Sequence, residues 1–397
     1  MAATSIAKNV YAIGVVDSGL RVFDIVMETK TGTTYNSYLV RGEKAALIDG
    51  SKLEFQDEWF ANIEQVMPLT DIEYLIINHT EPDHSGSYPE LLKRHPHIKI
   101  LCAAPAVPFV NNVINTEADI TGVKDNHELD LGGKKLIFKA TPYMHWPDTM
   151  MEYLVEDKIL FSCDGFAAHI GTGELYDDEL SASIDMDWEV KYYYDCIMRP
   201  FSGYIRRNLP KLDEFEIAMV AGSHGPIQRK EPRRYINQYK DWTAEQYDQD
   251  AAIVYASNYG NTAAMAGIIS AELQRLGVKT RQVDMTAIDD ATGRDVIERS
   301  RAVVIGTPTF NGDAVKPVWD FVSLFSTVYS IGKKAAVFGS YGWGGEGIKL
   351  VADRLTGLKL KVYENQLRAR LVPSETENAE TKAFAAGLAE FVTGGKK

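Results

Sequence analysis

The chain has only three cysteines, Cys102, Cys163 and Cys196, in 397 residues, and no two of them form a C-x-x-C pair. That scarcity excludes a disulfide framework, a zinc ribbon and a fused iron–sulfur module, so any iron–sulfur electron carrier must be a separate protein. Positive charge is short as well: 42 Lys and Arg stand against 55 Asp and Glu, a net charge of −13. Such an acidic chain is a poor partner for nucleic acid. No apolar run approaches the roughly 20 residues of a membrane helix, and the first residues lack the basic end and apolar stretch of a secretory signal. A soluble, cytoplasmic protein is expected. There is no Walker lysine motif and no G-x-G-x-x-G, so ATP and dinucleotides are both poor fits.

The length suits two domains, which typically hold roughly 100–200 residues each. The charge divides unevenly between them. Residues 251–397 carry 18 Lys and Arg against 15 Asp and Glu, which leaves 24 against 40 in the first 250 residues. Most of those acids keep a surface solvated.

Residues 251–397 repeat one pattern: a β-rich run, a turn, and a segment of helical periodicity. Strands are predicted at 252–256, 280–284, 302–306, 335–339 and 360–364, with helices near 262–276, 290–299, 315–327, 345–357 and 377–392. Five alternating strands and helices imply an α/β fold with a doubly wound parallel sheet. The first part opens instead with a hairpin, 34–40 and 45–49 around Arg41-Gly42-Glu43, and continues through strands at 74–78, 99–103, 135–141, 158–162 and 216–221. It reads as a mixed α/β layer structure. Between the two parts, Tyr235, Tyr239, Trp242 and Tyr247 are spaced as on a helix, so residues 230–250 are predicted to connect them, with 246–250 as the linker. The domains are therefore 1–249 and 250–397.

Four strands of the first part end alike, in an apolar run followed by His or Asp. Residues 74–78 lead to His79-Thr-Glu81-Pro-Asp83-His84, 135–141 lead to His145, 158–162 to Asp164, and 216–221 to His224. Loops at strand ends in a layered sheet share one rim, where such side chains converge. The densest cluster places four metal-ligand residue types within six positions, and Pro82 predicts a loop there. Taken singly, His145 reads as a core or surface histidine and Asp164 as an Asp-Gly turn; only the joint arrangement lifts them. His95, His97 and His127 lie in polar stretches and are predicted at the surface.

In the second part, Ser257-Asn258-Tyr259-Gly260-Asn261-Thr262 follows the first strand and opens a helix. Hydroxyls, amides and the backbone N–H groups of a helix N-terminus bind phosphate without Lys or Arg. Two further loops, Thr307-Pro308-Thr309-Phe310-Asn311-Gly312 and Ser340-Tyr341-Gly342-Trp343-Gly344-Gly345-Glu346, follow strands three and four. With strand order 2-1-3-4-5 the crevice at the switch between strands one and three gathers all three loops. Glycines let the backbone approach a flat ring, and Trp343 or Tyr341 can cover its face. These loops resemble those of FMN-binding flavodoxins.

The metal-ligand pattern resembles the metallo-β-lactamase fold, whose zinc hydrolases carry H-x-H-x-D-H. Here Glu81 replaces the second His, which matches the H-x-E-x-D-H form of the flavodiiron proteins. Hard carboxylate oxygen suits iron, whereas a more imidazole-rich set suits zinc. The resemblance covers nearly the whole chain. It implies an N-terminal metallo-β-lactamase-like αββα domain and a C-terminal flavodoxin-like domain, with one iron held by His79, Glu81 and His145, the other by Asp83, His84 and His224, and Asp164 bridging. In this family the position of His84 does not always bind metal, and His169 is a candidate neighbour of the site or a plain structural histidine.

The implied activity is that of an oxidoreductase, taking O2 to water and/or NO to N2O. The implied cofactors are FMN and two non-haem Fe ions. Electrons would come from an external donor, rubredoxin or a reduced deazaflavin, and the assembly would be a head-to-tail homodimer or a dimer of dimers, with the FMN of one subunit against the iron site of the other. Two alternatives stand beside this: a zinc-dependent hydrolase with an appended flavodoxin domain, against which Glu81 speaks, and a pure FMN electron-transfer protein, against which the full ligand set speaks. Arg229, Lys230, Arg233 and Arg234, with Arg206 and Arg207, are expected either to dock the donor or to form local salt bridges.

Overall fold

The computed structural model describes residues 2–25 and 27–394, which divide into two compact units at Ala244/Glu245. The predicted linker is shorter than 246–250, because Gln249 and Asp250 already belong to the first strand of the second unit.

The first unit holds two facing sheets. One runs β1 (Thr4–Ala7), β2 (Val10–Ala12), β3 (Tyr38–Arg41), β4 (Ala45–Ile48), β5 (Tyr74–Ile77), β6 (Lys99–Ala103) and β7 (Asp119–Val123), in that spatial order, with β4 to β7 parallel. The other runs β8 (Glu128–Asp130), β9 (Lys135–Ala140), β10 (Met150–Leu154), β11 (Ile159–Phe161) and β12 (Met219–Ala221). A single core joins them, with Leu39, Leu47 and Ile76 from the first sheet and Phe138, Leu160 and Val220 from the second. The near-unbroken apolar runs of these strands fit strands covered on both faces.

Strand direction brings the ends together. β10 is antiparallel to both β9 and β11, and β12 is parallel to β11, so β9, β11 and β12 all end on one edge of the second sheet. β5 of the first sheet reaches the same rim, where the Met150 N–H donates to the Asn78 carbonyl at 2.9 Å.

Several local expectations needed correction. The run predicted at 34–40 is two strands: Thr33–Tyr35 pairs with Val15–Asp17, and Tyr38–Arg41 belongs to the large sheet. Asn36 breaks it, because its side-chain amide donates to the carbonyls of Gly222 and Gly225 at 2.9 and 2.8 Å. The expected loop around Pro82 is a single helical turn, Pro82–Ser85. Proline at the first helical position loses no hydrogen bond there. The connecting helix is shorter than predicted, Arg234–Trp242, and buries Tyr235, Ile236 and Tyr239. His95 is buried, with its Nε2 2.8 Å from the Ile72 carbonyl.

The second unit is a parallel sheet of β13 (Gln249–Tyr255), β14 (Thr280–Asp284), β15 (Ser300–Phe310), β17 (Lys334–Tyr341) and β18 (Lys361–Val362), in spatial order β14-β13-β15-β17-β18, with β16 (Asp313–Ala314) pairing back onto β15. This is the order 2-1-3-4-5. Alternate residues point to opposite faces. Ala252, Val254, Val303, Ile305 and Val337 fill one core layer, and Ala251, Ile253, Ala302, Val304 and Phe338 the other. Strand five comes in two pieces. β18 pairs with the start of β17, and β19 (Leu367–Arg370) pairs with its end.

Candidate metal centre and flavin site

The seven residues predicted to bind metal meet at the common rim. His79, Glu81, Asp83, His84, Asp164 and His224 are buried, and His145 is half-buried. Their ligand atoms form two groups that share one carboxylate. In the first, Asp164 Oδ2 lies 3.2 Å from His79 Nε2 and 2.9 Å from His145 Nε2, while Glu81 Oε2 lies 3.2 and 3.1 Å from the same two nitrogens. In the second, Asp164 Oδ1 lies 3.5 Å from His84 Nε2 and 3.7 Å from His224 Nε2. Asp83 Oδ2 is 3.3 and 3.2 Å from those nitrogens.

These separations fit ligands around a cation. Metal–ligand bonds of about 2.0–2.2 Å place neighbouring ligands about 3–3.5 Å apart. Both oxygens of Asp83 and Oδ1 of Asp164 are buried without a hydrogen-bond partner among the described residues, a costly arrangement for a carboxylate unless its lone pairs face a positive charge. Burial alone would raise Asp164, but His79 and His224 outweigh it and hold the carboxyl well below its usual range. Burial would lower His145 and His224, yet the surrounding carboxylates push both up to about 9. A site this negative toward protons is equally favourable to a metal cation.

The far nitrogens of two of the imidazoles are held too. His224 Nδ1 is 2.6 Å from the Thr34 carbonyl and can only donate to it, which leaves Nε2 free to face the cluster. His79 Nδ1 is 3.3 Å from Cys163 Sγ. His169 is buried beside the site but is not grouped with the ligand atoms. Its Nδ1 lies 2.8 Å from Thr33 Oγ1, and its ring centre is 4.9 Å from that of His224 and 4.1 Å from Phe23. Burial and the neighbouring His224 depress it well below the usual histidine range, so it is neutral. Thr33, Thr34 and Cys163 were not singled out in the sequence; they act through a backbone carbonyl, a hydroxyl and a thiol that no ligand spacing marks.

In the second unit a pocket of about 350 Å³ opens at the ends of β13, β15 and β17, within the size range of small-molecule sites. Of the three predicted loops, all residues line it except Thr307, Glu346 and the glycines Gly260, Gly312, Gly344 and Gly345. Those glycines shape the loops. Gly260, at φ +85°, turns the chain into the helix Asn261–Arg275. Asn311 and Gly312, both at positive φ, close a two-residue hairpin between β15 and β16. An Asn-Gly pair is the usual sequence signal for such a turn. Thr262 Oγ1 and Ser340 Oγ lie 2.9 Å apart and tie two of the loops together. Tyr259 and Trp343 stand 86% and 81% exposed at the rim, as rings placed for a flat ligand would. Leu371, just beyond β19, also lines the pocket and was missed because strand five was predicted as one piece.

The basic cluster is not a free patch. Arg229 is bound to Asp178 and Glu179 and stacks on Tyr176. Arg233 donates to the carbonyls of Leu212 and Phe215, Arg234 pairs with Asp187, and Arg206 donates to the Thr243 carbonyl. Nearby acids and backbone carbonyls hold Arg229, Arg233, Arg234 and Arg206, which is the local pairing expected of them.

Residues 33–225 match the family described as ODP family beta lactamase, and residues 253–384 match flavodoxin. The Flavo-diiron protein FprA2 of Clostridium acetobutylicum is 36% identical over 400 residues, covering 99% of this chain and 100% of that one. The nitric oxide reductase of Moorella thermoacetica is 33% identical over 365 residues, covering 90% of each. The solved structure of rubredoxin oxygen:oxidoreductase from Desulfovibrio gigas matches with a TM-score of 0.70 at 25% identity, covering 99% of both chains. The two matched domains define a class of two-domain flavoproteins with a β-lactamase-like metal domain. This chain belongs to the flavodiiron proteins, oxidoreductases whose cofactors are FMN and a non-haem di-iron centre. Among the described residues, no helix is long and apolar enough to cross a membrane.

Proposed function

We propose that this chain reduces O2 to water, NO to N2O, or both, at two irons. His79, Glu81 and His145 hold one, Asp83, His84 and His224 hold the other, and Asp164 gives one oxygen to each. The observation that carries this reading is the shared carboxylate, with Oδ2 facing one ligand group and Oδ1 the other. When bound, two ferrous ions supply two electrons and reduced FMN two more, enough for four-electron reduction of O2 or for the two-electron coupling of two NO.

The residues of the chain set the conditions. Three carboxylates bring −3 against the +4 of two ferrous ions, which leaves a small positive excess for a reduced oxygen or nitrogen ligand. The Thr34 carbonyl keeps the His224 proton on Nδ1 and its Nε2 lone pair toward the site. In the second unit, Ser257, Asn258 and Thr262 at a helix N-terminus bind the FMN phosphate without a basic side chain, and Tyr341, Trp343 and Tyr259 flank the ring.

The electron donor is external, a small redox protein of the rubredoxin kind or a reduced deazaflavin. The working assembly is a homodimer in which the flavin of one subunit serves the irons of the other. Anaerobic reduction followed by rapid mixing with O2 and, separately, with NO tests the reading. Reoxidation of both flavin and iron within the mixing experiment is expected. Protein from iron-replete medium that holds two zinc and negligible iron would overturn it in favour of a hydrolase.

A further inference from the structure

We infer that Cys163 is a positioning residue for the iron pair: its sulfur accepts the Nδ1–H of His79 and fixes which nitrogen of that imidazole faces the metal. The inference rests on the di-iron reading above. Cys163 Sγ lies 3.3 Å from His79 Nδ1, and both side chains are shut off from water. On the other side of the ring, His79 Nε2 lies 3.2 Å from both Glu81 Oε2 and Asp164 Oδ2. A histidine that gives its Nε2 lone pair to a metal keeps its proton on Nδ1, and an acceptor placed there fixes which nitrogen faces the metal. For His224 the acceptor is the Thr34 carbonyl at 2.6 Å. For His79 it is sulfur.

The backbone holds the thiol there. Cys163 sits just past β11 at φ +51°, in the left-handed region, and its carbonyl accepts the Ser223 N–H at 2.8 Å. This places two consecutive side chains on one imidazole: Asp164 beside Nε2 as a ligand, Cys163 beside Nδ1 as its orienting contact. Thiol sulfur is a weaker acceptor than a carbonyl oxygen. His79 is therefore less polarised than His224 and donates less charge to its iron.

The test uses full-length Cys163→Ala and Cys163→Ser, assayed anaerobically for ferrous-iron affinity by chelator competition and for the reduction potentials of the iron pair. In Cys163→Ala, iron affinity falls about 10–100-fold, the usual effect of losing a partner of a ligating histidine, while FMN content is unchanged. Cys163→Ser keeps an acceptor, recovers most of that affinity, and shifts the reduction potential of one iron only. Parent affinity and parent potentials in Cys163→Ala, or an equal loss in both variants, overturn the inference while leaving the di-iron reading intact. A parent protein that takes up no iron overturns both.

Discussion

The Nε2 atoms of His84 and His224 face each other at 3.2 Å. His224 uses its Nδ1 proton on the Thr34 carbonyl, and His84 Nδ1 has no hydrogen-bond partner among the described residues. Two ring nitrogens at this distance share a proton or a cation between them, and Asp83 Oδ2, 3.3 and 3.2 Å away, completes a three-sided cup. His84 thus stands where a ligand stands, although its position in such proteins does not always bind metal. His84→Ala is expected to lower the affinity for the second iron while the first is retained, read as a fall from two irons per chain toward one.

Asp164 belongs to both ligand groups, and its removal should be felt by both. Asp164→Ala is expected to lose most of its iron while keeping FMN, since the flavin pocket is built from another unit. Iron and flavin counted per chain decide it; two irons with parent turnover would exclude a bridging role.

On the proposed reading, the carboxylate Glu81 sets the metal preference. Glu81→His replaces an oxygen ligand with an imidazole at the place where zinc hydrolases have one, so the ratio of zinc to iron bound in competition should rise. An unchanged ratio would mean that selectivity lies outside this ligand set.

Iron loading should strengthen as pH rises. In the metal-free fold His145 and His224 are raised from the ordinary 6.5 to about 9, so between those values each keeps a proton that iron must displace. Their protonated forms stabilise the metal-free fold fully below pH 6.5, and that contribution is lost as pH rises through 9. Ferrous affinity measured at pH 6.5, 7.5 and 8.5 should climb by up to about tenfold per unit for each proton released. An affinity flat across that range would contradict the assignment of these two histidines.

The flavin phosphate is expected to depend on hydroxyls. Ser257 Oγ accepts the Ala263 N–H at 3.2 Å, and Thr262 Oγ1 meets Ser340 Oγ at 2.9 Å, so the two hydroxyls both order the loop and line the pocket. Each is worth about 1–3 kcal/mol where a charged acceptor would be left short. Ser257→Ala with Thr262→Ala should therefore weaken FMN by at least about tenfold in a fluorescence titration of the flavin-free protein, at about 1.4 kcal/mol per decade. Unchanged affinity would place the phosphate elsewhere.

The sequence by itself picked out the seven side chains that meet at the rim, because strands that end on a shared rim carry His or Asp after an apolar run. The 2-1-3-4-5 sheet and its three loops followed in the same way, from short β-rich runs alternating with segments of helical periodicity. The tertiary structure alone decided what depends on two distant segments meeting. Asn36 divides a predicted strand by reaching Gly222 and Gly225, nearly 190 residues on. Cys163 turns its sulfur to His79 across 84 positions, and Arg229 and Arg234 spend their charge on acids some 50 positions upstream. Local periodicity reports which face of an element is buried; it holds no information about which side chain from elsewhere arrives on that face, and packing and hydrogen-bond satisfaction settle that only once the whole chain has folded.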